Sequence, residues 1–236
     1  MSQKDFAGFA SDKLGHEFSD PSLLVTALTH RSWVNESRRD RGIEHNERLE
    51  FLGDAVLELV TTNYLFINYP QQPEGVLTNW RSALVRTESI GDAAAKLGTF
   101  DMMRLSRGEK NAAERAKQQM LANAYEAIVG ALYIDAGYEV AERFINDTVL
   151  ITLEEILRTG SWQDAKSHLQ ELSQAKEGHT PTYKVMDEEG PDHDKTFTVG
   201  VFIAKNLRGE GDGPSKQSAQ QAAAEEALKH YQDDNS

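Results

Sequence analysis

From about residue 4 to residue 156, apolar side chains recur at spacings of three and four, with short breaks at Gly and Pro. That period predicts helix after helix and no convincing strand. The expected helices are roughly 4–14, 21–29, 45–67, 76–96, 98–103, 116–136 and 139–157. After Arg158-Thr159-Gly160-Ser161 the pattern changes. Residues 164–176 read as a helix, and Thr182–Asp187, Lys195–Ala204 and Asn206–Gly211 as strands rich in β-branched and aromatic residues. An alanine-rich helix from Pro214 to Tyr231 follows. The expected fold class is therefore an all-α domain at 4–157, a linker at 158–163, and a small α+β domain of order α-β-β-β-α at 164–232.

Composition bounds the function. With 39% hydrophobic and 27% charged residues in 236, the chain has the usage of a globular protein. It has no cysteine, which excludes a disulfide framework and a cysteine-zinc site. No basic stretch followed by an apolar run opens the chain, and no segment approaches the roughly 18 apolar residues of a membrane span. The expectation is an untargeted, soluble, cytoplasmic protein with no membrane partner. A net charge of −13 argues, taken alone, against nucleic acid, because phosphate binding is dominated by Lys and Arg. A carboxylate cluster that captures divalent cations reverses that inference, since the bound metal inverts the local charge.

The stretch His45-Asn46-Glu47-Arg48-Leu49-Glu50-Phe51-Leu52-Gly53-Asp54 opens such a cluster. At about 100° per residue, Leu49, Leu52, Val56 and Val60 share one helix face, while Glu47, Glu50, Asp54 and Glu58 fall within roughly an 80° arc on another. A solvated face would mix signs to gain i,i+4 pairs, whereas like charges at these spacings repel. A divalent cation would offset that repulsion.

A second helix carries Leu121-Ala122-Asn123-Ala124-Tyr125-Glu126. Its apolar positions Leu121, Ala124, Tyr125, Ile128, Val129 and Leu132 dominate, so Asn123 and Glu126 form a polar pair on a surface that otherwise reads as buried. Such a pair needs partners: structural hydrogen bonds, or the metal that Glu50 and Asp54 approach. Hard oxygen donors of this kind suit Mg²⁺.

The ten consecutive residues from His45 to Asp54 resemble the signature of the ribonuclease III family. Supporting pieces stand in family order: Leu28-Thr29-His30-Arg31-Ser32, Glu74-Gly75, Leu84-Val85-Arg86, Leu105-Ser106-Arg107-Gly108-Glu109, and the helix of Glu126. The resemblance runs from about residue 5 to residue 231. It implies an all-α endonuclease domain that dimerises and cuts double-stranded RNA with Mg²⁺, for which Mn²⁺ can substitute. Carried over by position, Glu50, Asp54, Asn123 and Glu126 resemble the metal ligands. Asp54, Glu126 and Glu47 resemble the catalytic acids. Phe51 resembles the aromatic residue that enters a socket on the partner of a homodimer. Asn123 departs from the family's usual Asp; its amide oxygen can still ligate a cation but brings no charge.

The C-terminal domain resembles a double-stranded-RNA-binding domain, a fold that reads A-form shape, 2′-hydroxyls and phosphates. The resemblance implies RNA contacts from Ser167, Gln170 and Glu171 on the first helix, and from His193 in Gly190-Pro191-Asp192-His193. The third surface is the turn at Gly211–Ala219 with Ser215 and Lys216, where free N–H groups at a helix start would meet phosphate. Between residues 164 and 232, eight Lys or Arg stand against twelve Asp or Glu, and Gln217 occupies the place of a usual second lysine. A weak RNA binder that relies on two copies is expected.

The family resemblance also implies 5′-phosphate and 3′-hydroxyl ends and ribosomal RNA precursors as substrates. Two rival readings remain: a non-cutting double-stranded-RNA-binding or ribosome-assembly protein on the same fold, and an acidic helical protein–protein interaction module.

Overall fold

A computed structural model describes residues 4–37, 44–160, 162, 165–191 and 195–233. Its internal contacts divide the chain into two units, Met1–Thr159 and Gly160–Ser236.

In the first unit α1 (Phe6–Phe9) runs into a π-helical turn, Ala10–Leu14, closed by Gly15 at φ 63°. Asp20 caps α2 (Pro21–Ala27), accepting from the Ser22 N–H at 2.9 Å, with Pro21 at the first helical position. Next come α3 (Arg31–Glu36), α4 (Glu47–Asn68), α5 (Glu74–Val85), α6 (Thr87–Leu97) and α7 (Thr99–Met102). A 3₁₀ turn at Glu109–Asn111 precedes α8 (Glu114–Ala136), α9 (Tyr138–Thr148) and α10 (Leu153–Thr159).

Two expected helices are each split. The 76–96 helix breaks at Arg86, whose ψ of 154° is extended, and Ser89 Oγ closes the break by donating to the Ala83 carbonyl at 2.7 Å. The 139–157 helix changes to a 3₁₀ turn at Leu150–Thr152. A kink of one or two residues leaves the apolar rows nearly in phase, so periodicity does not register it. Helix α3 and a parallel bridge between Thr29 and Arg104 were absent from the sequence reading.

That bridge matters to the site. His30 N–H donates to Arg104 O at 3.0 Å, Arg104 N–H to Leu28 O at 2.7 Å, and Asn46 N–H to Thr29 O at 3.0 Å. The Leu28–Ser32 segment is thereby tied both to Arg104 and to the start of α4. Ser106 N–H reaches Ser32 Oγ at 3.2 Å, and Arg107 N–H reaches Glu36 at 2.9 Å.

At the centre α4 packs on α8. All six apolar positions expected on α8 are buried, from Leu121 to Leu132. Tyr125 is fully buried, stacks on Phe144 at 5.3 Å, and shares a 2.6 Å hydrogen bond with Thr148. A buried phenol needs such a partner.

The second unit is α11 (Ala165–Glu177), an antiparallel sheet β1 (Thr182–Glu189), β2 (Thr196–Ile203) and β3 (Asn206–Gly213) in that spatial order, and α12 (Lys216–Asp233). Leu169, Val199, Val201, Ile203, Ala223, Ala227 and Tyr231 belong to its core. Ala204 and Lys205, at φ 48° and 73°, make the two-residue turn between β2 and β3. A Cβ on Gly211 would lie 2.2 Å from the Ala223 nitrogen, and one on Gly209 would lie 2.6 Å from the Ala223 oxygen. Alternating glycines on β3 and alanines on α12 therefore let helix and sheet approach closely.

Candidate active site and RNA-facing surfaces

The crossing of α4 and α8 builds the site. A Cβ on Gly53 would lie 1.7 Å from the Glu126 oxygen, and one on Gly130 would lie 2.3 Å from the Leu49 oxygen. Main chain therefore meets main chain where the two helices cross. Glu50 and Asp54 flank Gly53 on α4, and Glu126 lies one turn before Gly130 on α8. The glycine crossing thus brings carboxylates from two helices within electrostatic reach of one another.

The pKa shifts show the coupling. Burial pushes Glu126 up to about 8, and the Asp54 and Glu50 carboxylates push the same way. Glu50 is also raised, first by burial and then by Glu47 and Asp54, while a hydrogen bond from Asn123 opposes the rise. The Asn123 oxygen itself accepts from Gln119 Nε2 at 2.7 Å.

Of the four acids on the α4 stripe, the outer two are paired. Glu47 lies 3.3 Å from Arg31, and Glu58 lies 3.0 Å from Arg81. Among the described residues, no Lys, Arg or His forms an ion pair with Glu50, Asp54 or Glu126. Among the described residues, the site therefore gathers acidic groups with no basic side chain paired to them. As placed, no three His, Asp or Glu side chains among the described residues form a ready metal-ligating group.

Gln119 and the Arg31 and Arg81 pairings were not foreseen. Gln119 carried a weak signal, being one helical turn before Asn123.

Phe51 projects from α4 with 82% of its surface exposed, so it is not part of the core of its own subunit. It borders a groove of about 1020 Å³ whose lining includes Leu23, Val25, Leu49, Leu52 and Ile134.

In the second unit Ser167, Gln170 and Glu171 are exposed at i, i+3 and i+4, on one face of α11. Ser215 and Ser218 form a reciprocal cap on α12, with Ser218 N–H donating to Ser215 Oγ at 3.2 Å and Ser215 N–H to Ser218 Oγ at 3.0 Å. Lys216 lies 3.1 Å from Glu188, which also faces Lys195 at 3.7 Å. His193 lies outside the described residues.

Comparison with known proteins identifies both units. Residues 20–153 match the family described as Ribonuclease-III-like, and residues 165–231 match the double-stranded RNA binding motif. Ribonuclease 3 of Desulforamulus reducens is 40% identical over 230 residues, spanning 98% of this chain and 93% of that protein. Ribonuclease 3 of Carboxydothermus hydrogenoformans is 45% identical over 215 residues, or 91% of each. A solved nuclease domain of ribonuclease III from Campylobacter jejuni shares 38% identity at a TM-score of 0.53, covering 62% of this chain and 92% of its own. The chain belongs to the ribonuclease III family of endoribonucleases, with a double-stranded RNA binding motif following its nuclease domain.

Proposed function

We propose that the protein is a homodimeric, Mg²⁺-dependent endonuclease of double-stranded RNA, cutting one strand per subunit and leaving 5′-phosphate and 3′-hydroxyl ends. The observation that carries this reading is that Glu50, Asp54 and Glu126 come within electrostatic reach of one another at the α4–α8 crossing, with no basic side chain paired to them among the described residues. Hard oxygen donors in that number suit Mg²⁺, which is held by a few carboxylates and keeps waters for exchange with phosphate oxygens. Mn²⁺ fits the same donors.

Glu50, Asp54 and Glu126 would hold the cation, with Asn123 beside them. A cation bound there supplies a water of lowered pKa and charge stabilisation at the phosphate. Glu126, pushed up to about 8 by burial and by its acidic neighbours, would have to be deprotonated to hold the cation. Asp54 and Glu47 are exposed, which leaves them accessible to an incoming RNA strand. Arg31 holds Glu47 at the edge of the stripe.

Homodimerisation rests on Phe51 and its groove. A two-fold axis lets each copy's aromatic ring enter the other's groove, which closes the assembly and covers the exposed apolar side chain. The Campylobacter jejuni nuclease domain has a region involved in dimer formation. Duplex binding falls to the second unit through Ser167, Gln170, Glu171, Ser215 and Lys216, with His193 as the proposed contact from the β1–β2 connection. The proposed domain boundaries are 4–157 for the nuclease and 164–232 for the RNA-binding domain. No helix among the described residues is long and apolar enough to cross a membrane. Action in the cytoplasm on structured RNA, ribosomal precursors included, is part of the proposal.

The test is incubation of purified protein with a long, perfect RNA duplex in Mg²⁺ or EDTA, resolved on a denaturing gel. Short fragments only with Mg²⁺ support the proposal. Intact RNA that is shifted on a native gel would instead favour the non-cutting RNA-binding reading.

A further inference from the structure

We infer that the open face of the three-stranded sheet carries a second RNA site, for a single-stranded segment, built from Lys184, Lys205 and the Phe202 ring. The inference rests on the reading of the second unit as a binder of duplex RNA and adds a surface that this reading does not use.

Strand β1 separates two clefts. Alternate residues of a strand face opposite sides. Pro181 and Tyr183 border a cleft with Ser167 and Gln170 of α11, whereas Thr182 and Lys184 border one on the sheet's other face. This second cleft, of about 460 Å³, also takes in His179, Thr180, Phe202 and Lys205, and no acidic residue lines it. The lining is cationic in a chain whose net charge is −13.

Its lysines differ from the other basic residues of the unit. Lys195 and Lys216 are paired with Glu188, Arg208 with Glu177 and Lys229 with Glu226. Among the described residues, neither Lys184 nor Lys205 forms an ion pair. Lys205 lies at φ 73° in the two-residue β2–β3 turn, a position that favours glycine, yet it carries a cationic side chain. The Lys184 ammonium lies 5.2 Å from the centroid of the partly exposed Phe202 ring. Beside the ring the face is apolar. A Cβ on Gly200 would lie 2.9 Å from Leu207 and 3.3 Å from Met186, side chains that are 46% and 52% exposed. Glu210, across Gly200 from Lys184, stands outside the cleft.

Cationic side chains beside an aromatic ring suit a strand that offers both phosphates and unpaired bases. A duplex keeps its bases stacked inside and cannot follow the edge of β1 from one cleft to the other. A single strand that continues from a duplex held on the α11 face can turn that edge and splay its bases. The duplex tethers the strand beside the cleft, so even a weak contact adds to affinity.

The experiment is fluorescence anisotropy of the full-length protein in EDTA. The probe is an RNA duplex of about 20 base pairs, blunt or with a single-stranded extension of about ten nucleotides at either end. Wild type is expected to bind the extended duplex about three- to tenfold more tightly than the blunt one. The double variant Lys184→Gln/Lys205→Gln should lose that gain and keep wild-type affinity for the blunt duplex. Phe202→Leu, which removes the ring but keeps an apolar side chain, should lose part of the gain. A double variant or a Phe202→Leu protein that keeps the full gain overturns the inference, as does a double variant weakened equally on both duplexes. If wild type binds the blunt duplex and the extension adds nothing, the inference alone falls. If wild type binds neither, the duplex reading falls with it.

Discussion

A Cβ on Gly53 would lie 1.7 Å from the main-chain oxygen of Glu126. No relaxation of a flexible side chain can relieve that overlap, because the opposing atom belongs to the backbone of α8. Gly53→Ala must therefore push the two helices apart. A destabilisation of about 3 kcal/mol or more is expected, the upper range for overpacking, together with loss of cleavage. Chemical denaturation followed by circular dichroism checks the first, and a duplex-cleavage assay the second.

The raised Glu126 pKa makes metal-free stability depend on pH. An acid whose folded pKa lies near 8, well above its unfolded value, binds more protons folded than unfolded between those values. Its contribution to stability is therefore lost as pH rises through that window. In EDTA the wild type should become less stable from about pH 5 to pH 8, and Glu126→Gln should flatten that dependence. Added Mg²⁺ should restore wild-type stability at pH 8, because the ion binds only the folded site. Thermal melts across pH, with and without Mg²⁺, measure all three effects.

Phe51 is 82% exposed, so its removal has little to disturb within one subunit. Phe51→Ala is expected to weaken the dimer about tenfold to a hundredfold, in the range of an interface anchor, while leaving the circular dichroism spectrum unchanged. Sedimentation velocity over a concentration series reads the change. A variant that dimerises like wild type would remove Phe51 from the interface.

Glu188 is paired with Lys216 and Lys195, so on the proposed RNA-binding face it would compete with phosphate for them. It lies 3.1 Å and 3.7 Å from them, and its pKa is lowered first by the hydrogen bond to Lys216. Phe197, which pairs with Glu188 across β1 and β2, sits 5.4 Å from the Lys216 ammonium. Glu188→Gln should tighten duplex binding about two- to fivefold at low salt and steepen the salt dependence by about one phosphate contact. Fluorescence anisotropy of a labelled duplex at several salt concentrations tests this.

The division into a helical part and an α-β-β-β-α part was legible because the period of apolar residues changes after Gly160. Leu49, Val56 and Val60 lie buried on the α4 face that periodicity assigned them, and Leu52 is partly buried beside them. The break at Arg86 was not legible, since a single extended residue leaves neighbouring apolar rows nearly aligned. The meeting of Glu50 with Glu126 was suggested by residue type and by family resemblance. Its cause, the approach of Gly53 to Gly130, is a relation between residues 77 positions apart that no local pattern encodes. Likewise Glu47 and Glu58 looked equivalent to Glu50 and Asp54 on the stripe. Arg31 and Arg81, which pair with the outer two, come from other helices.

In the proposed function, Glu126 serves the chemistry of cleavage and not the grip on RNA. The most direct measurement is single-turnover cleavage of a duplex by wild type and Glu126→Gln in Mg²⁺, with duplex affinity measured in parallel. A loss of cleavage of about a thousandfold or more, on the order of 4 kcal/mol, with affinity unchanged, is the predicted result. A Glu126→Gln protein that cuts at the wild-type rate would contradict the account.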